Sequence, residues 1–247
     1  MSELNLNRLY NPDGKELGAI IAGLSGSGKT TAVISTLQKA ISSSQFGESH
    51  RFLIIDPKNQ YGDYDILADP IYSLDKVKKS LRKERVTVFY PNISILEAQV
   101  ENIIDYVFRI SDKNPETSFT IVLDEASSLI TPTQIPDQVK RMVVQGRAKR
   151  IKPVFLSQRP IINRWTDANI SSGLFFRILP VDADVLKRRF GIDFESNIIS
   201  LNEVPYSYIF MDFETAQIKN MTPVDLPKPK PKKKKGRLSR LFGMDLI

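Results

Sequence analysis

The chain has 247 residues, 41% hydrophobic and 26% charged, which supplies one sizeable core and leaves too little length for two ordinary domains. Its formal charge of +7 is local: residues 226–247 carry eight of the 35 basic residues and one of the 28 acids, so 27 of each sign remain in 1–225, and the excess does not by itself argue for a basic DNA-binding face on the body. Zero cysteines exclude a disulfide scaffold, a cysteine nucleophile and Cys-ligated metal, and the single histidine, His50, makes a His-based metal site or a Ser-His-Asp triad improbable.

The opening segment 1–16 is polar, with an Asn11-Pro12-Asp13-Gly14 turn signal, and reads as a lead-in. It lacks the basic-then-apolar order of a signal peptide, and no apolar run approaches the roughly 20 residues that span a bilayer, so a reducing, cytosol-like compartment is expected. Leu17–Gly23 has the form of a buried strand, and Val33, Ile34, Leu37 and Ile41 predict a helix over Thr30–Ile41. His50, after Gly47 and Ser49, is expected in a loop with a solvated side chain. Further buried strands are predicted at Phe52–Pro57, Val86–Pro91, Phe119–Leu123, Pro153–Ser157, Leu174–Ile178 and Tyr206–Met211, with helices at Leu96–Ile110 and Gln138–Arg150. Continuous Val/Ile/Leu/Phe strands alternating with helices predict an α/β fold, a mostly parallel sheet covered on both faces over residues 17–225. From Leu226 a Pro/Lys-rich tail begins, whose prolines favour extended backbone and whose lysines repel, so disorder is expected there.

Gly23-Leu24-Ser25-Gly26-Ser27-Gly28-Lys29-Thr30 matches G-x-x-x-x-G-K-[ST] at every required place, between a buried strand and an amphipathic helix. Such a loop turns backbone N–H groups onto phosphates, and the helix N-terminus adds favourable potential for negative charge. The ATP contacts are therefore placed at Gly23, Ser25, Gly26, Ser27, Gly28, Lys29, Thr30 and Thr31. Lys29 would reach the β- and γ-phosphates and the Thr30 hydroxyl would ligate Mg²⁺. The strand Thr120–Leu123 ends in Asp124-Glu125. Asp124 would orient Mg²⁺ directly or through water, with capping of the next helix as its plainer use, and Glu125 can polarise a water for in-line attack. A consecutive Asp-Glu pair without an Asn-Lys-x-Asp motif favours ATP hydrolysis over GTPase switching.

Leu156-Ser157-Gln158-Arg159-Pro160 ends the following strand, and Arg147 lies eleven residues before Gln158. An arginine, a strand and a Gln-Arg-Pro sequence, together with Ile54-Ile55-Asp56-Pro57-Lys58 and Tyr61-Gly62, resemble the FtsK–HerA superfamily of P-loop ATPases across roughly residues 17–215. The resemblance implies a RecA/FtsK-like sheet and a hexameric or similar ring, with ATP between subunits. It implies that Gln158 senses the γ-phosphate and that Arg147 acts in trans on the neighbour's nucleotide, with Arg141 and Arg150 as alternatives for that role. Gln158 has a plainer use as a buried polar group. The resemblance also implies double-stranded DNA as partner, and Arg164 with Trp165 in the Pro160–Ser172 loop offers a phosphate contact and a stacking face, unless the indole packs between subunits.

A chain without a membrane span or an added reader domain looks most like the genome-packaging ATPases of tailless internal-membrane viruses, which implies a virion or host-cytoplasm location. The tail's Lys232–Lys235 run and its apolar Leu238, Leu241 and Phe242 suit DNA attraction, an anionic membrane, or docking on a capsid or membrane-vertex protein; a solvated tail is the plainer reading. Two other functions fit the same residues: a DNA-pumping ATPase of conjugation or DNA processing, and a nucleotide-gated membrane or partner-docking factor.

Overall fold

A computed structural model describes residues 6–12, 17–65, 67–160, 163–190, 201 and 204–230. Of the disordered tail with an amphipathic end expected over 226–247, residues 231–247 lie outside the described residues. Chain order is α1 (Leu6–Tyr10), β1 (Gly18–Ala22), α2 (Lys29–Ser42), β2 (His50–Ile55), α3 (Leu74–Lys83), β3 (Val86–Phe89), α4 (Leu96–Lys113), β4 (Ser118–Leu123), α5 (Asp137–Gln145), β5 (Ile151–Ser157), α6 (Arg164–Asp167), β6 (Ile170–Phe175), α7 (Pro180–Phe190), β7 (Tyr208–Asp212) and β8 (Gln217–Met221).

The strands form one sheet in the order β3-β2-β4-β5-β1-β6-β7-β8. The first six are mutually parallel, and β7 and β8 close the other end antiparallel. Strand residues alternate between two cores, as a period of two requires. Ala19 and Ile21 of β1 face a cluster built with α1 and α2, whereas Ile20 and Ala22 face the cluster under α3, α4, α5 and α7. Both faces of the parallel part are thereby covered, which is why these strands read as unbroken apolar runs.

Several elements differ from expectation. The basic helix is shorter than Gln138–Arg150: α5 stops at Gln145, and Arg147–Lys149 tightens into a 3-10 turn before β5. Gly146 allows this, because a Cβ there would meet the Met142 carbonyl oxygen at 2.2 Å. The strand expected at Leu174–Ile178 begins earlier, at Ile170, through polar but buried Ser171 and Ser172.

His50 is a correction. It is buried, not solvated, and opens β2. Its Nδ1 pairs with Ser118 Oγ at 2.8 Å and its Nε2 with Thr120 Oγ1 at 3.0 Å, both on β4. The imidazole therefore joins two strands at the sheet's amino edge. Replacing it by Ala takes a partner from two buried hydroxyls, of which Thr120 still holds the Tyr10 carbonyl, and opens a cavity, so His50→Ala is expected to lose about 3 kcal/mol in urea unfolding.

The lead-in is also more than a leader. Leu9 and Tyr10 are buried, the Tyr10 hydroxyl bonds Thr36 Oγ1 at 2.7 Å, and buried Lys152 donates to the Arg8 carbonyl at 2.8 Å. The α1 segment thus closes the amino edge of the sheet. The start of the tail, too, rests on the body. The Gln38 side chain grips both backbone groups of Lys228 at 2.8 Å each, Asp65 N–H donates to the Lys228 carbonyl, and Lys230 N–H donates to the Asp63 carbonyl.

Candidate active site

In a parallel sheet the loops that follow the strands gather at the carboxyl edge, where ligands of open α/β folds bind. There β1, β2, β4 and β5 deliver the cradle, Lys58, Asp124 with Glu125, and Gln158 to one cleft of about 580 Å³, bordered also by Thr30, Thr31, Tyr64 and Tyr206.

The cradle leaves β1 and enters α2 through two left-handed glycines, Gly26 at φ 72° and Gly28 at φ 96°, the latter being the N-cap of α2. That backbone region is open to glycine and costly to most other residues. Lys29 Nζ donates to the carbonyls of Gly23 at 2.5 Å and Leu24 at 3.1 Å, so the ammonium is held across the mouth of its own loop. Burial pushes the Lys29 pKa below its ordinary value; the nearby Asp124 charge opposes the shift and Lys58 adds to it. An ammonium stripped of water and held among carbonyls is poised for a stronger anion. Ser25, Thr30 and Thr31 border the cleft, while Ser27 is buried beneath the loop.

Asp124 is buried, and one oxygen accepts the Glu125 N–H at 2.7 Å. Its Oδ2 has no hydrogen-bond partner among the described residues apart from the buried Tyr61 hydroxyl beside the carboxylate. Burial raises the Asp124 pKa above the usual carboxylate range. A buried carboxylate oxygen at the cleft wall fits a divalent cation, whose charge would favour the ionised form. Among the described residues no cluster of three His, Cys, Asp or Glu could hold a metal unaided, so such an ion needs further oxygens from a bound phosphate chain. Helix capping, the plainer use of Asp124, goes little further than the Glu125 N–H: a short 3-10 turn, Ala126–Ser128, follows it.

Glu125 sits at φ 53°, a left-handed conformation uncommon for its type, which turns its side chain into the cleft. There its carboxylate forms an ion pair with Lys58, and Gln158 Nε2 donates to its Oε1 at 3.2 Å. Gln158 is thus exposed and bound to the carboxylate, rather than buried against backbone. Lys58 was visible in the sequence only as part of Asp56-Pro57-Lys58. Its position comes from Asp56, which is fully buried and accepts the N–H groups of Lys58 at 3.2 Å, Gln60 at 2.6 Å and Tyr61 at 3.0 Å, folding the loop after β2.

The other predicted residues lie elsewhere. Arg147 precedes β5, whereas Gln158 follows it, so the two are separated by the whole strand, about 20 Å. The Arg147 side chain is exposed and makes no ion pair or hydrogen bond among the described residues. Arg141 lies 4.0 Å from the Phe108 ring and 3.5 Å from Asp105, and Arg150 donates to the Pro115 and Glu116 carbonyls. Arg164 is exposed on α6, and half-buried Trp165 lies beneath Lys140 Nζ at 4.1 Å and the Arg164 guanidinium at 5.0 Å. Arg159 of the Gln-Arg-Pro sequence is an anchor, reaching buried Asp182 of α7 at 2.7 and 2.9 Å.

No family model matches the chain, and no curated protein is similar to it in sequence. Solved structures are similar in fold. The genome-packaging NTPase B204 of Sulfolobus turreted icosahedral virus 2, in complex with ATP-gammaS, superposes with a TM-score of 0.69 at 14% identity, over 87% of this chain and 100% of that one. B204 of Sulfolobus turreted icosahedral virus, the DNA-packaging ATPase, gives 0.65 at 13%, over 85% and 98%. VirB4 of Thermoanaerobacter pseudethanolicus gives 0.57 at 12%, over 85% and 90%. The eight-stranded sheet with its Gly23–Thr30 cradle is thus the P-loop NTPase fold of the packaging NTPases and VirB4, the fold that the FtsK–HerA resemblance predicts.

Proposed function

We propose that the protein hydrolyses ATP to move double-stranded DNA, working as a ring of identical subunits, a hexamer by its resemblance, and that it packages a viral genome into a preformed capsid. One observation carries the reading. Lys29, Asp124, Glu125 and Gln158 share a single cleft, while Arg147, unpaired among the described residues, stands at the opposite edge of the same sheet. A guanidinium about 20 Å from its own cleft is out of reach of a phosphate bound there, which supports a role for Arg147 on the nucleotide of a neighbouring protomer.

Within the cleft the residues divide the work. The Gly26–Gly28 backbone and Lys29 bind and orient the phosphates, and Thr30 with Asp124 would hold Mg²⁺. That ion, when bound, neutralises charge on the phosphoryl oxygens. Glu125 accepts the proton of the attacking water, and Gln158 keeps that carboxylate aimed. Lys58 competes for the same carboxylate, so releasing Glu125 from the ion pair is part of reaching the active state. Arg164 and Trp165 are the proposed DNA contacts. The basic tail is proposed to dock a capsid or membrane-vertex protein, in a virion or host cytoplasm; among the described residues no helix is long and apolar enough to cross a membrane.

A second reading keeps the motor and places it in conjugation or DNA processing, because VirB4 shares the fold. A third is a nucleotide-gated docking factor that uses the tail on anionic lipid. Steady-state ATPase assays separate the motor from that factor. The translocase is expected to accelerate severalfold with linear duplex DNA and not with anionic vesicles; acceleration by vesicles alone would remove the motor.

A further inference from the structure

Tyr206 is an unusual surface residue. The residue is 61% exposed, and its backbone sits at φ 62°, a region that aromatic residues seldom enter. The turn is held in place: Ser207 donates both its N–H, at 3.2 Å, and its hydroxyl, at 2.7 Å, to the Val204 carbonyl. Strain of this kind persists where the surroundings impose it, and it gathers at ligand sites. The ring lies on the cradle itself, since a Cβ on Gly28 would come within 2.9 Å of Tyr206 Cδ1.

Topology explains how the ring gets there and which end of the cleft it occupies. Because β7 runs antiparallel to β6, with Ile209 opposite Phe175, the start of β7 lies at the carboxyl edge. Glu125 and Gln158 follow β4 and β5, on one side of β1, whereas β6 and β7 lie on the other. Tyr206 therefore reaches the cradle from the side away from the carboxylate. A nucleotide whose terminal phosphate meets Glu125 carries its base at its far end. Phosphate binding needs no exposed aromatic ring, but a base does: its π-face stacks on such a ring in water.

We propose that Tyr206 is the base-stacking residue of the nucleotide site, a role that rests on the cleft's reading as an ATP site. Stacking accepts any base face, so Tyr206 distinguishes a nucleotide from a bare phosphate chain and does little to separate adenine from guanine. Its aromatic ring, not its hydroxyl, carries the effect.

The test compares ATP with inorganic tripolyphosphate, both with Mg²⁺, by calorimetric titration of the full chain and of Tyr206→Ala and Tyr206→Phe. Tyr206→Ala is expected to bind ATP about 10- to 100-fold more weakly, the loss of one aromatic–base stack, with tripolyphosphate affinity unchanged and Tyr206→Phe close to the parent chain. Equal weakening of ATP and tripolyphosphate would show that the ring only buttresses Gly28, and unchanged ATP affinity in Tyr206→Ala would remove the stack; either result overturns the proposal alone. Failure of the unaltered chain to bind ATP at all overturns the nucleotide site itself, and Tyr206 with it.

Discussion

Exchanging Glu125 for Gln is expected to slow steady-state ATP hydrolysis by about 10²- to 10⁴-fold, the usual contribution of a positioned general base, while ATP still binds. The side chain keeps its length, and its one amide oxygen can still accept from either Gln158 or Lys58, which in the parent chain use different carboxylate oxygens, so one of the two contacts remains to hold the side chain in the cleft. What disappears is the proton acceptor. Binding rests on the Gly26–Gly28 backbone and on Lys29, none of which the exchange touches. Single-turnover hydrolysis beside equilibrium ATP titration checks both halves. Turnover near the parent rate would remove Glu125 as the base and leave the cluster of Lys58, Glu125 and Gln158 without a catalytic reading.

The second large effect tests the proposed seam. Arg147→Ala and Lys29→Ala are each expected to abolish turnover, a trans arginine alone accounting for about 10³- to 10⁵-fold. Mixed in equal amounts, the two variants should recover activity. In a head-to-tail ring of randomly mixed subunits, about a quarter of the seams join an intact Lys29 cleft to an intact Arg147 neighbour. Mixed rings verified by mass and still inert would count against Arg147 in trans. Among the three candidates, Arg141 packs on Phe108 and Arg150 holds the Pro115 and Glu116 carbonyls, whereas Arg147 is unengaged among the described residues.

Much of this site could be read before any fold was known. Gly23–Thr30, Asp124-Glu125 and Gln158 were legible because each is a short run whose chemistry needs neighbours in sequence: backbone N–H groups in series, or a carboxylate at the end of an apolar strand. The elements that escaped notice lacked such a signature. Leu74, Val77 and Leu81 of α3 do have helical spacing, but only Val77 and Leu81 are buried in a segment otherwise full of lysine and arginine. The strand β8, Gln217–Met221, is an exposed edge with no apolar face to declare it. His50 misled because its three preceding residues look like loop, while the hydroxyls that bury it come from Ser118 and Thr120.

The sequence by itself determined the phosphate cradle, the strand-end carboxylates and the α/β alternation, since these depend on residues within one turn or one strand of each other. Tertiary structure alone decided that Lys58 and Gln158 meet at Glu125, that Arg147 stands at the far edge from its own cleft, and that Tyr206 leans on Gly28. Those relations come from the order of the strands and the direction of β7. Strand order is set by how apolar faces of distant segments pack together, and spacing along the chain does not carry that information.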